Sequence, residues 1–437
     1  MGLLEPDGRT CQKSSSIALI ILKTMTTHQS QQANLRNYML VTAAYWGFTI
    51  TDGALRMLVL LYFHTIGYTP LEIALLFLFY EIFGVITNFF GGWIGSQFGL
   101  KLTLYGGIGL QVLSLIILSF LDRNWGQGLS IAYIMTAQAF SGIAKDLTKM
   151  STKSAIRLVV PKEAQSTLFK WVAILTGSKN ALKGFGFFVG SVLLTGLGFQ
   201  NSLLAMAACL GLILFTGILL PKGMGKIKAK VKFKQLFSKS PEINILSAAR
   251  FFLFGSRDVW FVVGLPVFLY ANLGWKFAEV GGFMACWVIG YGLVQFFAPM
   301  LLNALGSGQA PKSGTIQFWT TLLIAVPAAI ALALQTNLPP GQVIVIGLTI
   351  FGLVFAFNSA VHSYLVLAFT ADDDVALNVG FYYMANSGGR LAGTVLSGLI
   401  FQSFGLIGCL WVSAAFVLAA SIITFRLPDP NPQQSIE

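Results

Sequence analysis

Residues 67–90 read GYTPLEIALLFLFYEIFGVITNFF, and residues 274–297 read GWKFAEVGGFMACWVIGYGLVQFF. Laid over one another without gaps, at an offset of 207 positions, Gly67 meets Gly274 and Glu72 meets Glu279. Asn88 meets Gln295, and Phe89 and Phe90 meet Phe296 and Phe297. At the same offset, about a hundred residues further on, Lys183 meets Arg390 and Gly186 meets Gly393. One offset shared by two distant places marks an internal duplication. Each stretch opens a run of about 20 apolar residues, enough to cross the hydrocarbon of a bilayer. About twelve such runs recur between Tyr38 and Phe425. The fold expected is an all-α membrane protein, with twelve transmembrane helices in two pseudo-symmetric six-helix halves and a cavity between them.

Composition supports a membrane protein. Hydrophobic residues make up 55% of the chain and charged residues 10%, against about 25% charged in soluble domains. Mean hydropathy is +0.75. The net charge of +12 does not call for a nucleic-acid partner, because much of it falls in segments that read as cytoplasmic loops. The clearest is Lys222–Lys239, with lysines at 222, 226, 228, 230, 232, 234 and 239; a basic run of this kind also suits anionic lipid. It divides the chain into a polar tail (1–34), a first half (35–220), a basic linker (221–241), a second half (242–427) and a C-terminal tail (428–437). The positive-inside rule places both termini in the cytoplasm, with odd-numbered spans running outward. Residues 16–22 are apolar but too few for a signal-peptide core, and translation starting at Met25 is an alternative to Met1. Cys11, Cys209, Cys286 and Cys409 are scattered singly, so neither a thiolate metal site nor a disulfide is expected, and each reads as a small buried apolar residue.

Cations stand where a membrane span holds them least easily. Arg56, Lys179, Lys183, Arg257 and Arg390 fall near the middle of apolar runs, where each charge costs about 2.5–3.5 kcal/mol on insertion scales. Asp52 and Arg56 lie four apart in span 1 and share a face. They read either as a neutralised structural pair or as a substrate-binding Arg56 oriented by Asp52. Arg257 has a similar depth in span 7, so the two arginines are candidates to clamp an oxyanion from opposite sides. Asp258 points about 100° away from Arg257 on a helix. Lys179 and Lys183 share a face of span 5 with no acid near in sequence, which favours an anionic ligand, and Arg390 is the counterpart of Lys183 in span 11. Lys145, Lys149, Lys153 and Arg157 form a row along span 4. The last two read as cytoplasmic snorkelling residues, the first two as cavity candidates, with Asp146 free to pair with a neighbouring helix. Glu81, among Phe79, Tyr80, Ile82 and Phe83, reads as a proton carrier or as an ion-pair partner. His362 is a candidate proton or oxyanion contact, and Asn88, Gln138, Asn358 and Asn386 are candidate neutral contacts. Arg56, Lys145, Lys179, Lys183, Arg257 and Arg390 exceed Asp52, Glu81, Asp146 and Asp258 by two charges. A multiply anionic metabolite needs that excess; a neutral sugar or a cationic drug does not.

Enzyme signatures are absent: no phosphate-binding glycine loop, nucleophile elbow or H-E-x-x-H occurs. No cofactor and no metal are expected. Asp372–Asp374 read as the cap of span 11.

The loop after span 2, Gly92-Trp-Ile-Gly-Ser96-Gln97-Phe98-Gly99-Leu100-Lys101, resembles the cytoplasmic signature of the major facilitator superfamily. Ser96 stands where that signature has Asp and Gln97 where it has a cation. The resemblance implies that spans 1, 4, 7 and 10 line the cavity, flanked by spans 2, 5, 8 and 11. Four longer blocks, DGALRMLVLLYFH (52–64), LFLFYEIFG (76–84), GIAKDLTKM (142–150) and GSRDVWF (255–261), resemble one branch of that superfamily, the ArsJ organoarsenical exporters, and the likeness runs from about residue 35 to 427. What it implies is export of 1-arseno-3-phosphoglycerate; proton coupling through Asp52, Glu81 or Asp146 and a place in the bacterial inner membrane are expected beside it. A partner glyceraldehyde-3-phosphate dehydrogenase makes this ester when it accepts arsenate, and export confers arsenate resistance. A monomer is expected. Uptake or exchange of an organic phosphate through the same fold is the alternative, and a non-transporting receptor or scaffold the second.

Overall fold

The computed structural model describes residues 8–122, 124–155, 165–219, 240–305, 311–369 and 375–429. Residues 221–239 of the basic linker, the Asp372–Asp374 triplet and Arg157 lie outside these residues, and the side chain of Lys153 is likewise not among those described. The helices are α1 (Gly8–Thr65), α2 (Pro70–Leu76), α3 (Leu78–Ser119), α4 (Gln127–Ala155), α5 (Gln165–Thr216), α6 (Pro241–Phe261), α7 (Gly264–Val267), α8 (Phe277–Leu305), α9 (Ser313–Ala333), α10 (Pro340–Ala368) and α11 (Val375–Thr424).

Three of these helices hold two spans each, separated by a single glycine with positive φ: Gly99 (76°) in α3, Gly198 (73°) in α5 and Gly405 (63°) in α11. Span 1 is the C-terminal part of α1, and α2 with the first part of α3 forms span 2. Span 7 is α6 and α7, closed by a π-helical turn at Phe268–Asn272. The result is twelve transmembrane helices in two six-helix halves. Eight stretches among the described residues are long and apolar enough to cross a membrane, and two of them contain a pair of spans. Neither α1 nor α4 contributes one; these helices carry Asp52 with Arg56 and Lys145 with Asp146 and Lys149, charges that pull their hydropathy down.

The duplicated sequence positions are duplicated turns. Gly67 (φ 94°) and Gly274 (φ 70°) end spans 1 and 7 in the left-handed region that side chains avoid. The matched glutamates are caps: Glu72 accepts from the Thr69 N–H at 2.8 Å, and Glu279 from the Lys276 N–H at 2.7 Å, each holding the first turn of the next span.

Small residues bring the spans together. A Cβ on Gly190 of span 5 would lie 2.2 Å from the Ala54 carbonyl oxygen of span 1, and one on Gly389 of span 11 would lie 2.0 Å from that of Phe251 in span 7. The two halves meet along α2 with α11 and α5 with α8. Near the 66–69 turn this contact is tight: a Cβ on Gly398 would sit 2.5 Å from the Ala74 Cβ, and the Leu71 N–H donates to Gln402 Oε1 at 3.2 Å. On the α5–α8 side, a Cβ on Gly281 would come within 2.7 Å of the Ser191 Cβ. These contacts bring the halves together at the end of the molecule that carries the 66–69 and 273–276 turns.

α1 begins at Gly8, and no Gly or Pro interrupts residues 9–46, so the helix of span 1 extends back into the polar tail. One expectation needs correction. Of the three cysteines whose side chains are described, Cys409 is buried, but Cys209 and Cys286 lie exposed on the outer surface of spans 6 and 8, where lipid rather than a packed core accommodates an apolar thiol.

Candidate functional site

A cavity of about 230 Å³ lies between the halves, lined from spans 1, 4, 5, 7, 8, 10 and 11. Its walls run from Phe187, Phe261 and Trp287 to Tyr45, Leu175, Ser363 and Tyr383, away from the tightly packed end. Arg56, Lys145, Lys149, Lys179, Lys183, Arg257 and Arg390 all line it, with Asp52, Asp146 and Asn386. Helical spacing explains the convergence: Asp52 and Arg56, Lys145 and Lys149, and Lys179 and Lys183 are each four residues apart, so each pair projects from one face.

The acids are hubs shared among the cations. Glu81, from span 2, accepts from Arg56 at 2.6 Å and from Arg390 at 2.8 Å, with Lys145 at 3.7 Å. Asp258 accepts from Arg390 Nε at 3.2 Å and also from its chain neighbour Arg257. Asp146 holds Lys149 at 2.8 Å and Lys145 at 3.7 Å. Asp52 lies 3.5 Å from Lys183 Nζ and accepts from the Tyr80 hydroxyl at 2.7 Å. Arg390 therefore joins the halves, with Asp258 of the second on one nitrogen and Glu81 of the first on another. Among the described residues its bond to Glu81 is the ion pair that crosses between them. The pseudo-symmetry extends to chemistry, since Lys183 reaches from span 5 to span 1 as Arg390 reaches from span 11 to span 7.

The side chains of Glu81, Asp146 and Asp258 are 1% exposed, whereas those of Lys149, Lys183 and Arg390 are 18–22% exposed. Glu81 and Asp258 stand behind the lining, while Asp52 and Asp146 share the wall with the cations. Aromatic rings support them: the Lys145 ammonium lies 4.0 Å from the Tyr80 ring centre, and the Arg56 guanidinium 5.2 Å from that of Phe77.

Several residues sit differently from their sequence reading. Asp52 and Arg56 share a face but take separate partners, because Tyr80 and Glu81 of span 2 and Lys183 of span 5 come between them. Asp258 pairs with Arg257 despite the 100° offset, the arginine being long enough to curl back. His362 is fully buried in span 10 and does not line the cavity, and neither ring nitrogen has a hydrogen bond among the described residues. Asn358 faces span 9, accepting from Thr320 at 2.8 Å, and Gln138 is buried away from the cavity. Asn88 stands just behind the lining, accepting from Lys149 at 2.8 Å and donating to Ser387 at 3.3 Å across the halves.

Arg250 is the charged residue of the described lining that sequence reasoning passed over. It lies in the third turn of α6, is 4% exposed and lines the cavity. Its signal was the seven-residue interval to Arg257, which puts both on one face. With it, among the described residues eight cations stand with the four carboxylates Asp52, Glu81, Asp146 and Asp258. Among the described residues no group of three or more His, Cys, Asp and Glu is placed to hold a metal.

The sequence matches the family model of the Major Facilitator Superfamily over residues 39–307. The chain belongs to the Major Facilitator Superfamily. Two solved members share its fold: a crystal structure of a mutant of the nucleoside transporter NupG (TM-score 0.68, 15% identity) and one of a D-xylose-proton symporter (TM-score 0.69, 12% identity). Each comparison covers 90% of this chain and 98% of the other. No curated protein matches the sequence. Membership makes the chain a multi-pass membrane transporter.

Proposed function

We propose that this superfamily member is a secondary active exporter of 1-arseno-3-phosphoglycerate that confers resistance to arsenate. The observation that carries the reading is the balance of charge at the cavity, where eight cations stand with four carboxylates among the described residues and two of those carboxylates, Glu81 and Asp258, are set behind the lining. A surface of that kind attracts a multiply charged anion and repels a cation. An ester with phosphate at one end and arsenate at the other supplies two separated oxyanions for the two walls. The lysines of spans 4 and 5 are mobile point charges for one end, while the planar forks of Arg56, Arg257 and Arg390 fix geometry.

The chain sits in a bacterial inner membrane with both termini cytoplasmic, works as a monomer, and depends functionally on a glyceraldehyde-3-phosphate dehydrogenase that forms the ester. Substrate enters from the cytoplasm and competes with Glu81 and Asp258 for the arginines. The bond from Arg390 to Glu81, which ties the halves together at 2.8 Å, loosens as the oxyanion takes the guanidinium. The halves then rock about the occupied site. Proton entry at Asp52, Glu81 or Asp146 returns the carrier, since a protonated carboxyl releases its cation.

The test is growth and cell arsenic in an arsenate-sensitive bacterium lacking its own competent dehydrogenase. Expression of the transporter with a co-expressed glyceraldehyde-3-phosphate dehydrogenase is expected to protect, and expression of either protein alone is not. Protection without the dehydrogenase would mean export of arsenate itself. No protection from a correctly inserted protein would remove the arsenical and leave organic-phosphate transport in its place.

A further inference from the structure

We infer that Arg250 is the centre of a separate oxyanion subsite, which takes one tetrahedral or carboxylate head of a two-headed organic anion. The inference rests on reading the cavity as an organic-anion site and adds which residue confers preference for a second anionic group. Arg250 differs from Arg56, Arg257 and Arg390 in what surrounds it. Each of those arginines is held by a buried carboxylate, whereas among the described residues no carboxylate oxygen lies within 4.0 Å of Arg250.

Its hydrogen bonds go to neutral groups. Nε donates to Asn386 Oδ1 at 3.2 Å and Nη1 to the Ser359 carbonyl at 3.4 Å. A guanidinium has five N–H donors, so three remain. The Phe254 ring supports the group from one side, with its centre 3.9 Å from the guanidinium carbon. The adjoining cavity wall is polar and uncharged: Ser363, Tyr291 and Gln295 line it, and the last two donate to the Ser359 hydroxyl at 3.3 and 3.1 Å. An arginine that is 4% exposed and, among the described residues, lacks a counter-ion is costly to keep in a membrane protein. An arriving anion supplies what is missing, and the planar fork with hydroxyl neighbours suits phosphate, arsenate or carboxylate. Arg257 stands two helical turns away on the same face, about 10 Å along the axis. The carboxylate-held cations therefore form one subsite and Arg250 the other, spaced for an extended three-carbon chain with an anion at each end.

The test is equilibrium binding to the full-length protein in lipid nanodiscs, followed through Trp287, which lines the cavity. The probes are 3-phosphoglycerate, glycerol 3-phosphate, glycerate and inorganic phosphate. The native protein is expected to bind 3-phosphoglycerate more tightly than any single-headed probe. Arg250→Gln should weaken 3-phosphoglycerate at least about tenfold and bring it down to the level of the better single-headed probe, which itself changes little. Asn386→Asp, which sets a carboxylate against Arg250 without removing it, should produce the same loss and covers the case in which Arg250→Gln does not fold. Undiminished 3-phosphoglycerate binding in either folded variant would overturn the subsite, and so would an equal loss for all four probes. If the native protein binds none of them, the organic-anion reading falls with it.

Discussion

Glu81→Gln is expected to abolish transport and to lower markedly the unfolding temperature of the purified protein. Glu81 is 1% exposed, accepts from Arg56 and Arg390 and pairs with Lys145 at 3.7 Å, three cations drawn from spans 1, 11 and 4. The amide keeps the shape and removes the charge, so those cations are left facing one another in a poorly solvated space. Breaking a buried ion pair by removing one partner costs about 3–5 kcal/mol, and here one change unbalances three contacts. The stability part is checked by thermal unfolding of Glu81→Gln, Arg390→Gln and the double variant. The cycle should return a favourable coupling between the two positions, the double variant being more stable than the sum of single losses implies. Additive losses would show that the 2.8 Å bond between the halves contributes nothing of its own.

Arg390→Lys is expected to fail almost as completely as Arg390→Ala, while Lys183→Arg retains most activity. Arg390 uses two different nitrogens on carboxylates from opposite halves, Nε on Asp258 and Nη2 on Glu81. A lysine ammonium presents its donors from a single atom and cannot span both acceptors. Lys183 makes a single ion pair, to Asp52 at 3.5 Å, which an arginine also makes. Transport into proteoliposomes should therefore fall at least about tenfold for Arg390→Lys, equivalent to about 1.4 kcal/mol or more, with little change for Lys183→Arg. Equal tolerance at both positions would mean that charge alone matters at Arg390.

Much of the fold was legible because the duplication preserves what a turn needs. Gly67 with Gly274 and Glu72 with Glu279 recur because a positive-φ end and a capped start are required twice. The same logic extends to Gly198 and Gly405, which also lie 207 apart and break α5 and α11. The charged residues converge as the span count implies, since a charge in an apolar helix has few places to go but the cavity. Partners were not legible. The spacing of Asp52 and Arg56 invites a pair, but tertiary neighbours from spans 2 and 5 outcompete it. Polar residues without charge gave the weakest guidance: His362 and Asn358 are as buried as the core, because in span 10 the face toward the cavity is marked instead by Ser359 and Ser363. Arg250 is legible only from helical face, through its seven-residue interval to Arg257.

The most direct measurement is uptake into everted inner-membrane vesicles, in which export from the cytoplasm becomes accumulation. Labelled arsenate, glyceraldehyde 3-phosphate, NAD and purified dehydrogenase generate the ester outside the vesicle. Accumulation of label is expected only when the dehydrogenase and the transporter are both present, and is expected to disappear with Arg390→Ala. Accumulation that is unaffected by omitting the dehydrogenase, or the absence of accumulation from vesicles containing the correctly inserted protein, would contradict export of the arseno-phosphoglycerate.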